Sequence, residues 1–180
     1  MRKIVAELFS SLDGVVASPD QWHGPYHSEE MEQDIQAGLA AADTMLLGRH
    51  TYQEHAGFWP GASGGLADLM NGIHKIVFSA ALPAAEWCNS TLVTEADIAE
   101  EVARLKRQDG KDIVVTGSIT LVQTLLRAGL LDELRLLIDP VVVREGRKLF
   151  EDEGGRLPCT LIASRVYKSG TISATYTFTS

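Results

Sequence analysis

Between Asp13 and Met31 the chain gathers a dense set of reactive side chains: Asp13, Asp20, Trp22, His23, Tyr26, His27, Glu29 and Glu30, with Pro19 and Pro25 shaping the backbone. A flat heteroaromatic molecule would use such a mixture, with Trp22 or Tyr26 stacking on its ring and a carboxylate bonding its ring nitrogens. Glu30 and Asp34 stand four apart and share a helix face, so one of them can point into a cleft while Met31 and Ile35 pack inward. Glu29 is also explained by the helix dipole alone, which favours acids in a first turn.

Two other stretches share one physical logic. Leu46-Leu47-Gly48-Arg49-His50-Thr51-Tyr52 and Val114-Val115-Thr116-Gly117-Ser118-Ile119 each run a strand into glycine, after which free backbone N–H groups can face an anion. In the first, Arg49 adds a forked donor and Thr51 a hydroxyl. In the second, Gly117 permits close approach and Ser118 opens a helix whose N-terminus carries partial positive charge. Two such cradles suit the two phosphates of a dinucleotide. The plain alternative is that each junction only turns the chain, with Arg49 in a surface ion pair. No strand leads into G-x-G-x-x-G, so a dinucleotide bound here is held by a fold other than the Rossmann fold.

Three other constellations carry less. His23 and His27 are separated by Gly24 and Pro25, which breaks the helical spacing of a paired ligand set, and no thiolate stands near, so no metal is expected. Gly61-Ala62-Ser63-Gly64-Gly65 matches the G-x-S-x-G pattern, but no buried strand leads into its serine, and it reads as a lid or an exposed connection. Cys88 and Cys159 have no basic neighbour to activate them and read as free thiols of a reducing compartment.

The elements that must position these residues follow from periodicity. Ile4 to Ser10 is a strand closed by a turn at Ser11-Leu12-Asp13-Gly14, and a helix starts after Ser28 with Met31, Ile35, Leu39 and Ala42 on one stripe. Thr44–Leu47 and Lys75–Ser79 are short buried strands, with a short helix at Leu66 to Asn71 between them. Thr94 to Asp97 resembles a capping pair before a helix reaching Gly110. Asp112–Val115 is a strand that turns at Gly117 into a helix ending at Gly129. Leu134–Ile138 is another strand, and Thr160–Tyr167 with Thr171–Phe178 forms a hairpin about Lys168-Ser169-Gly170. This order predicts one domain spanning residues 1–180, of α/β class, with helices flanking a mixed sheet that ends antiparallel.

At 180 residues and 45% hydrophobic, the chain buries a core without help from disulfides or metal. Its net charge of -8 repels phosphate backbones and anionic lipid, which excludes nucleic acid and membrane surfaces as partners. No signal-peptide or membrane-spanning run is present, and a cytoplasmic protein is expected.

Ser11-Leu12-Asp13-Gly14-Val15-Val16-Ala17, Leu46 to Tyr52, Lys75 to Ser79, Ile113 to Ser118 and Asp132-Glu133-Leu134, in this order along nearly the whole chain, resemble the dihydrofolate-reductase-like superfamily. The branch it most resembles contains the reductase domain of bacterial riboflavin biosynthesis. The resemblance implies a three-layer α/β/α sandwich with a mixed, mostly parallel sheet and an antiparallel C-terminal hairpin, and NADPH extended across its strand ends. Carried over by position, Gly48, Arg49 and Thr51 meet the cofactor's phosphates, Arg49 favouring the 2′-phosphate. Ser79 lies near the adenosine, Gly117, Ser118 and Ile119 take the pyrophosphate, and Ala6 and Val16 line the nicotinamide.

On the substrate side, the family's early-helix carboxylate has Glu29, Glu30 or His27 as counterparts, Glu30 being favoured. Asp13 and Glu30 are then expected to orient or protonate the substrate, with Trp22 and Tyr26 as its binding residues. The loop is acidic and no deaminase portion is present, which fits poorly with a ribose phosphate substrate. The expected activity is NADPH-dependent hydride transfer to a small pterin- or pyrimidine-like heterocycle. The alternative is a non-catalytic nucleotide- or flavin-binding dimer of the same fold. A homodimer is expected in either case, through apolar residues such as Leu136, Ile138, Val141 and Val143.

Overall fold

The computed structural model describes residues 1–94, 97–150 and 155–178. β1 (Ile4–Ser11) alternates as far as Phe9, sending Ile4, Ala6 and Leu8 into one core while Glu7 and Phe9 face the opposite layer. After the loop of residues 12–28 comes α1 (Glu29–Ala40), opened as expected by Ser28, whose side chain accepts from the Met31 N–H. β2 (Ala42–Gly48) runs without interruption into α2 (Arg49–Phe58), followed by α3 (Gly65–Gly72), β3 (His74–Phe78) and β4 (Ser90–Val93). The second half contains α4 (Ile98–Lys106), β5 (Asp112–Val115), α5 (Ile119–Arg127), β6 (Glu133–Asp139), β7 (Cys159–Val166) and β8 (Ile172–Phe178).

The eight strands form one sheet in the order β4-β3-β2-β5-β1-β6-β8-β7. Every pair from β4 to β6 is parallel, and β8 pairs antiparallel with both β6 and β7. Apolar residues on both faces of β2 explain its layers: Leu46 packs with α4 and α5, whereas Met45 and Leu47 pack with α1, α2 and α3. The result is the three-layer α/β/α sandwich implied by the resemblance. The carboxyl ends of β2, β5, β1 and β6 lie side by side, the edge at which open α/β sheets bind ligands.

Three elements differ from the expectation. α2 was not read as a helix of 10 residues because only Tyr52 is buried on it, so it carries no apolar stripe. β4 is a short, half-exposed edge strand with too few residues to show a period. α4 stops at Lys106, not near Gly110, and Asp97 caps it by accepting from the Glu100 N–H; Glu95 and Ala96 of the expected capping pair lie outside the described residues. At the far end of α3, the fully buried Lys75 donates from Nζ to the carbonyls of Met70, Asn71 and Ile73, which fixes the helix against β3.

Candidate functional site

A cavity of about 600 Å³ opens at the carboxyl ends of β1 and β5, within the range of small-molecule sites. Its two ends are built differently.

At one end the turns after β2 and β5 interlock. Gly48 is the N-cap of α2, and a Cβ added there would stand 2.7 Å from the Ser118 Cβ. Gly117, at φ +145°, reciprocates: its added Cβ would stand 2.8 Å from Thr51 Cγ2. Each turn therefore requires glycine where the other presents a hydroxyl residue. Ser118 holds a positive φ of 69° and accepts from the Leu121 N–H, closing the first turn of α5. No side chain caps α2, so its first-turn N–H groups are directed out at the helix end.

Thr51, Gly117, Ser118, Ile119 and Thr120 line this end of the cavity, with Val16 opposite. Arg49 is exposed beside it, its Nη2 lying 3.3 Å from His50 Nε2. Arg147 donates to Thr120 Oγ1 at 3.0 Å and to Gln123 Oε1 at 2.9 Å, adding a second guanidinium at the start of α5. Its carbonyl accepts from the Val16 N–H, which ties the loop after β1 to this wall.

The other end lies under α1, α2 and α3, where Ile35, Leu39, Trp59, Leu66 and Met70 form an apolar wall. His55 belongs to this wall, and burial holds its imidazole down to about 4. Its Nδ1 accepts from Trp59 Nε1 at 3.1 Å, so the neutral ring carries its proton on Nε2, which is 3.5 Å from Thr116 Oγ1. Glu7 enters from β1; burial raises its carboxyl, against the Arg135 guanidinium 2.9 Å away. His23 lines the same end, with Nδ1 2.7 Å from Oδ2 of the fully buried Asp139 and its ring stacked on Phe9. His27, 3.3 Å from Glu32 Oε2, lies on the rim.

The residues expected from the sequence are therefore divided by the structure. Val16, Thr51, Gly117, Ser118 and Ile119 come together on the cavity, framed by Gly48 and Arg49. Ala6 is fully buried in the core and does not line the cavity, and Ser79 closes a turn by accepting from the Ala81 and Leu82 N–H groups. On the substrate side neither expected acid lines the cavity. Asp13 accepts from the Ser11 hydroxyl and the Val143 and Arg144 N–H groups, which lower its carboxyl to about 2 and leave it no proton to give at neutral pH. Glu30 faces Lys168 at 3.5 Å. Trp22 points back to donate to the Ala17 carbonyl at 3.0 Å, and Tyr26 likewise does not line the cavity.

His55 and Trp59 escaped sequence reading because α2 was unread, and Arg147 because it lies in an irregular segment. Asp139 is 116 residues from His23 and meets it only through the pairing of β6 with β1. Its one signal was an acid ending an apolar strand.

Residues 2–173 match the RibD C-terminal domain family. The chain is 31% identical to the uncharacterized protein YyaP of Bacillus subtilis (strain 168) over 97% of its own length and 94% of the relative's. The fold superposes on a protein from Shewanella sp. PV-4 named for riboflavin biosynthesis, with a TM-score of 0.82, 18% identity and 99% of both chains covered. It also superposes on dihydrofolate reductase from Enterococcus faecalis, solved with NADP(H) and RAB-propyl, with a TM-score of 0.66, 16% identity and 99% and 97% of the two chains covered.

Proposed function

The chain belongs to the RibD C-terminal domain family, and from that premise we propose that it is an NADPH-dependent reductase of a small, uncharged heterocycle. One observation carries the reading: the reciprocal contact of Gly48 with Ser118 and of Gly117 with Thr51, which sets two helix starts side by side at the cavity. Such a pair fits two linked phosphates, because each helix start offers N–H groups and partial positive charge. An added Cβ at either glycine would collide with the facing turn and push the two helix starts apart. The residues present thus fit a dinucleotide, and the fold is shared with a reductase whose structure holds NADP(H).

Bound there, the reduced nicotinamide supplies a hydride to an electrophilic ring carbon. The chain's own residues bind and orient. Thr51, Ser118 and Ile119 with Gly48 and Gly117 hold the phosphates, and Arg49 meets the 2′-phosphate, a bidentate match that favours NADPH over NADH. Val16, in the loop after β1, would line the nicotinamide. The substrate takes the end walled by Ile35, Leu39, Trp59, Leu66 and Met70, where no lysine or arginine lines the cavity among the described residues. A ribose phosphate would be left without a cationic partner there, so the substrate class is an uncharged pterin- or pyrimidine-like ring, with the neutral His55 Nε2–H as one donor to it.

β7 is exposed along its whole length, with Leu161, Ile162 and Val166 at the surface, and a homodimer would cover these residues; Leu136 and Ile138, the residues expected to supply that surface, stand instead on β6, between β1 and β8. Cys88 and Cys159 are free and exposed, in keeping with a cytoplasmic setting. No helix among the described residues is long and apolar enough to cross a membrane.

The test is a fluorescence titration with NADPH followed by oxidation assays at 340 nm with pterin, pyrimidine and quinone acceptors. Micromolar binding and steady oxidation are expected. Absence of binding would sink the reading, and binding without oxidation of any acceptor would leave a nucleotide-binding protein of the same fold.

A further inference from the structure

Asp139 closes β6 with no exposed surface. A carboxylate so placed has lost its water and needs donors. Two are present: Thr171 Oγ1, which donates to Oδ1 at 2.7 Å, and His23 Nδ1, 2.7 Å from Oδ2. Of the two, only the imidazole can carry a positive charge. The carboxylate therefore fixes a proton on Nδ1 and sets the orientation of the ring. The ring is held in place by Phe9, with 3.8 Å between centroids, and by the bond of the His23 N–H to the Pro19 carbonyl at 2.8 Å. With Nδ1 turned to the sheet, Nε2 is the nitrogen left for the cavity that His23 lines, and no hydrogen bond to it occurs among the described residues.

Resting on the reductase reading above, we propose that His23 is the proton donor of the reaction and Asp139 its positioning residue. Three other titratable groups at this end are occupied otherwise, and Glu54 of α2 lines the cavity as an exposed carboxylate. Glu7 of β1 is held by Arg135, His27 of the loop faces Glu32 of α1, and His55 of α2 is neutral and already bonded to Trp59. A tie meant only to rigidify the loop needs no buried carboxylate behind an imidazole, since an apolar contact would serve without the desolvation cost.

The step balances as follows. As the carbon of a ring C=N or C=O accepts the hydride, its π pair moves to the heteroatom. The N–H bond at His23 Nε2 breaks, the proton passes to that heteroatom, and the bonding pair stays on Nε2. The substrate gains two electrons and two hydrogens, the electrons coming from the nicotinamide, and His23 regains its proton from water at the cavity mouth.

Two measurements decide it. In the first, ¹⁵N-histidine NMR of the protein without ligand should show the neutral His23 ring as the Nδ1–H tautomer, a preference that Asp139→Asn abolishes. An Nε2–H tautomer in the wild type would overturn the proposal before any substrate is known. In the second, His23→Gln should lower kcat at least ~100-fold on whichever of menadione, 6-methyl-7,8-dihydropterin and quinoxaline the wild type reduces, with the Kd for NADPH unchanged within about twofold. Asp139→Asn should lower kcat while KM stays within about twofold, and Thr171→Val gives a milder form of the same split should Asp139→Asn fail to fold. An unchanged kcat in His23→Gln overturns the donor role. Failure of the wild type to bind NADPH overturns the reductase reading instead, while the tautomer still reports on the His23–Asp139 pair.

Discussion

At the end of the cavity beside α2 and α5, two strand-to-helix turns approach so closely that their positions accept glycine and a small hydroxyl residue and little else. At the other end, α1, α2 and α3 meet over apolar side chains, where many residue types of similar volume would pack equally well. The first end works through backbone N–H groups, which every sequence possesses, so its signature is the set of residues that let the backbone come close. The second works through side chains from four or five elements, which come together only once the chain is folded. One end is therefore constrained in residue type and free in partner residues, and the other is the reverse.

The sharpest way to break this contrast is to add one carbon at each kind of site. Gly48→Ala places a Cβ 2.7 Å from the Ser118 Cβ, where both groups belong to turns that have nowhere to move. NADPH affinity should fall more than ~100-fold, since overpacking by roughly 1–3 kcal/mol comes on top of the displaced N–H groups. Gly57→Ala is the control on the same helix. Nothing lies within 4 Å of its added Cβ, so the protein should be stabilised by about 0.4–1 kcal/mol, read from urea midpoints, with NADPH binding unchanged. Equal effects of the two substitutions would remove the interlocked turns from any role in binding.

Next in size is Arg49→Ala. A charge-assisted pair with the 2′-phosphate is worth about 1.5–3 kcal/mol, so the Kd for NADPH should rise roughly 10- to 100-fold while that for NADH stays within about twofold. Comparable losses for both cofactors, measured by fluorescence titration, would move Arg49 from the 2′-phosphate to a general role at the helix start. Trp59→Ala probes the other end. It removes part of the apolar wall and the donor to His55, so KM for the substrate should rise roughly tenfold with NADPH affinity unchanged. A loss of NADPH affinity in this variant would mean that the two ends are not separable.

The same contrast explains what could be read from the sequence. The sheet, its order of elements and the C-terminal hairpin were legible because β-branched runs, glycine turns and the Ser28 cap act over a few residues. The turns at Gly48 and Gly117 were legible for the same reason. The loop of residues 12–28 misled, because its composition shows that reactive groups are present but not which way they face. Asp13 serves the turn it belongs to and Trp22 folds back on Ala17, whereas His23 in the same loop reaches a buried acid of β6. α2 stayed hidden because a helix whose polar face lines a cavity has no apolar stripe to announce it.

The last expected effect concerns His55, where the substrate end carries a stability cost of its own. Burial keeps its imidazole neutral in the folded protein down to about 4, whereas in the unfolded chain it gains a proton near 6.5. Between those two values the unfolded state binds more protons than the folded one, so stability falls as pH drops through this window and its contribution is complete above it. His55→Phe removes the titrating group while keeping an aromatic in the wall. Urea midpoints for the variant should therefore decline less steeply than those of the wild type between pH 6.5 and pH 4, with parallel behaviour above pH 7. Gly57→Ala adds no titratable group and its added Cβ meets nothing within 4 Å, so it should leave the wild-type slope intact. An equal flattening in both variants would show that the acid response does not belong to the buried imidazole.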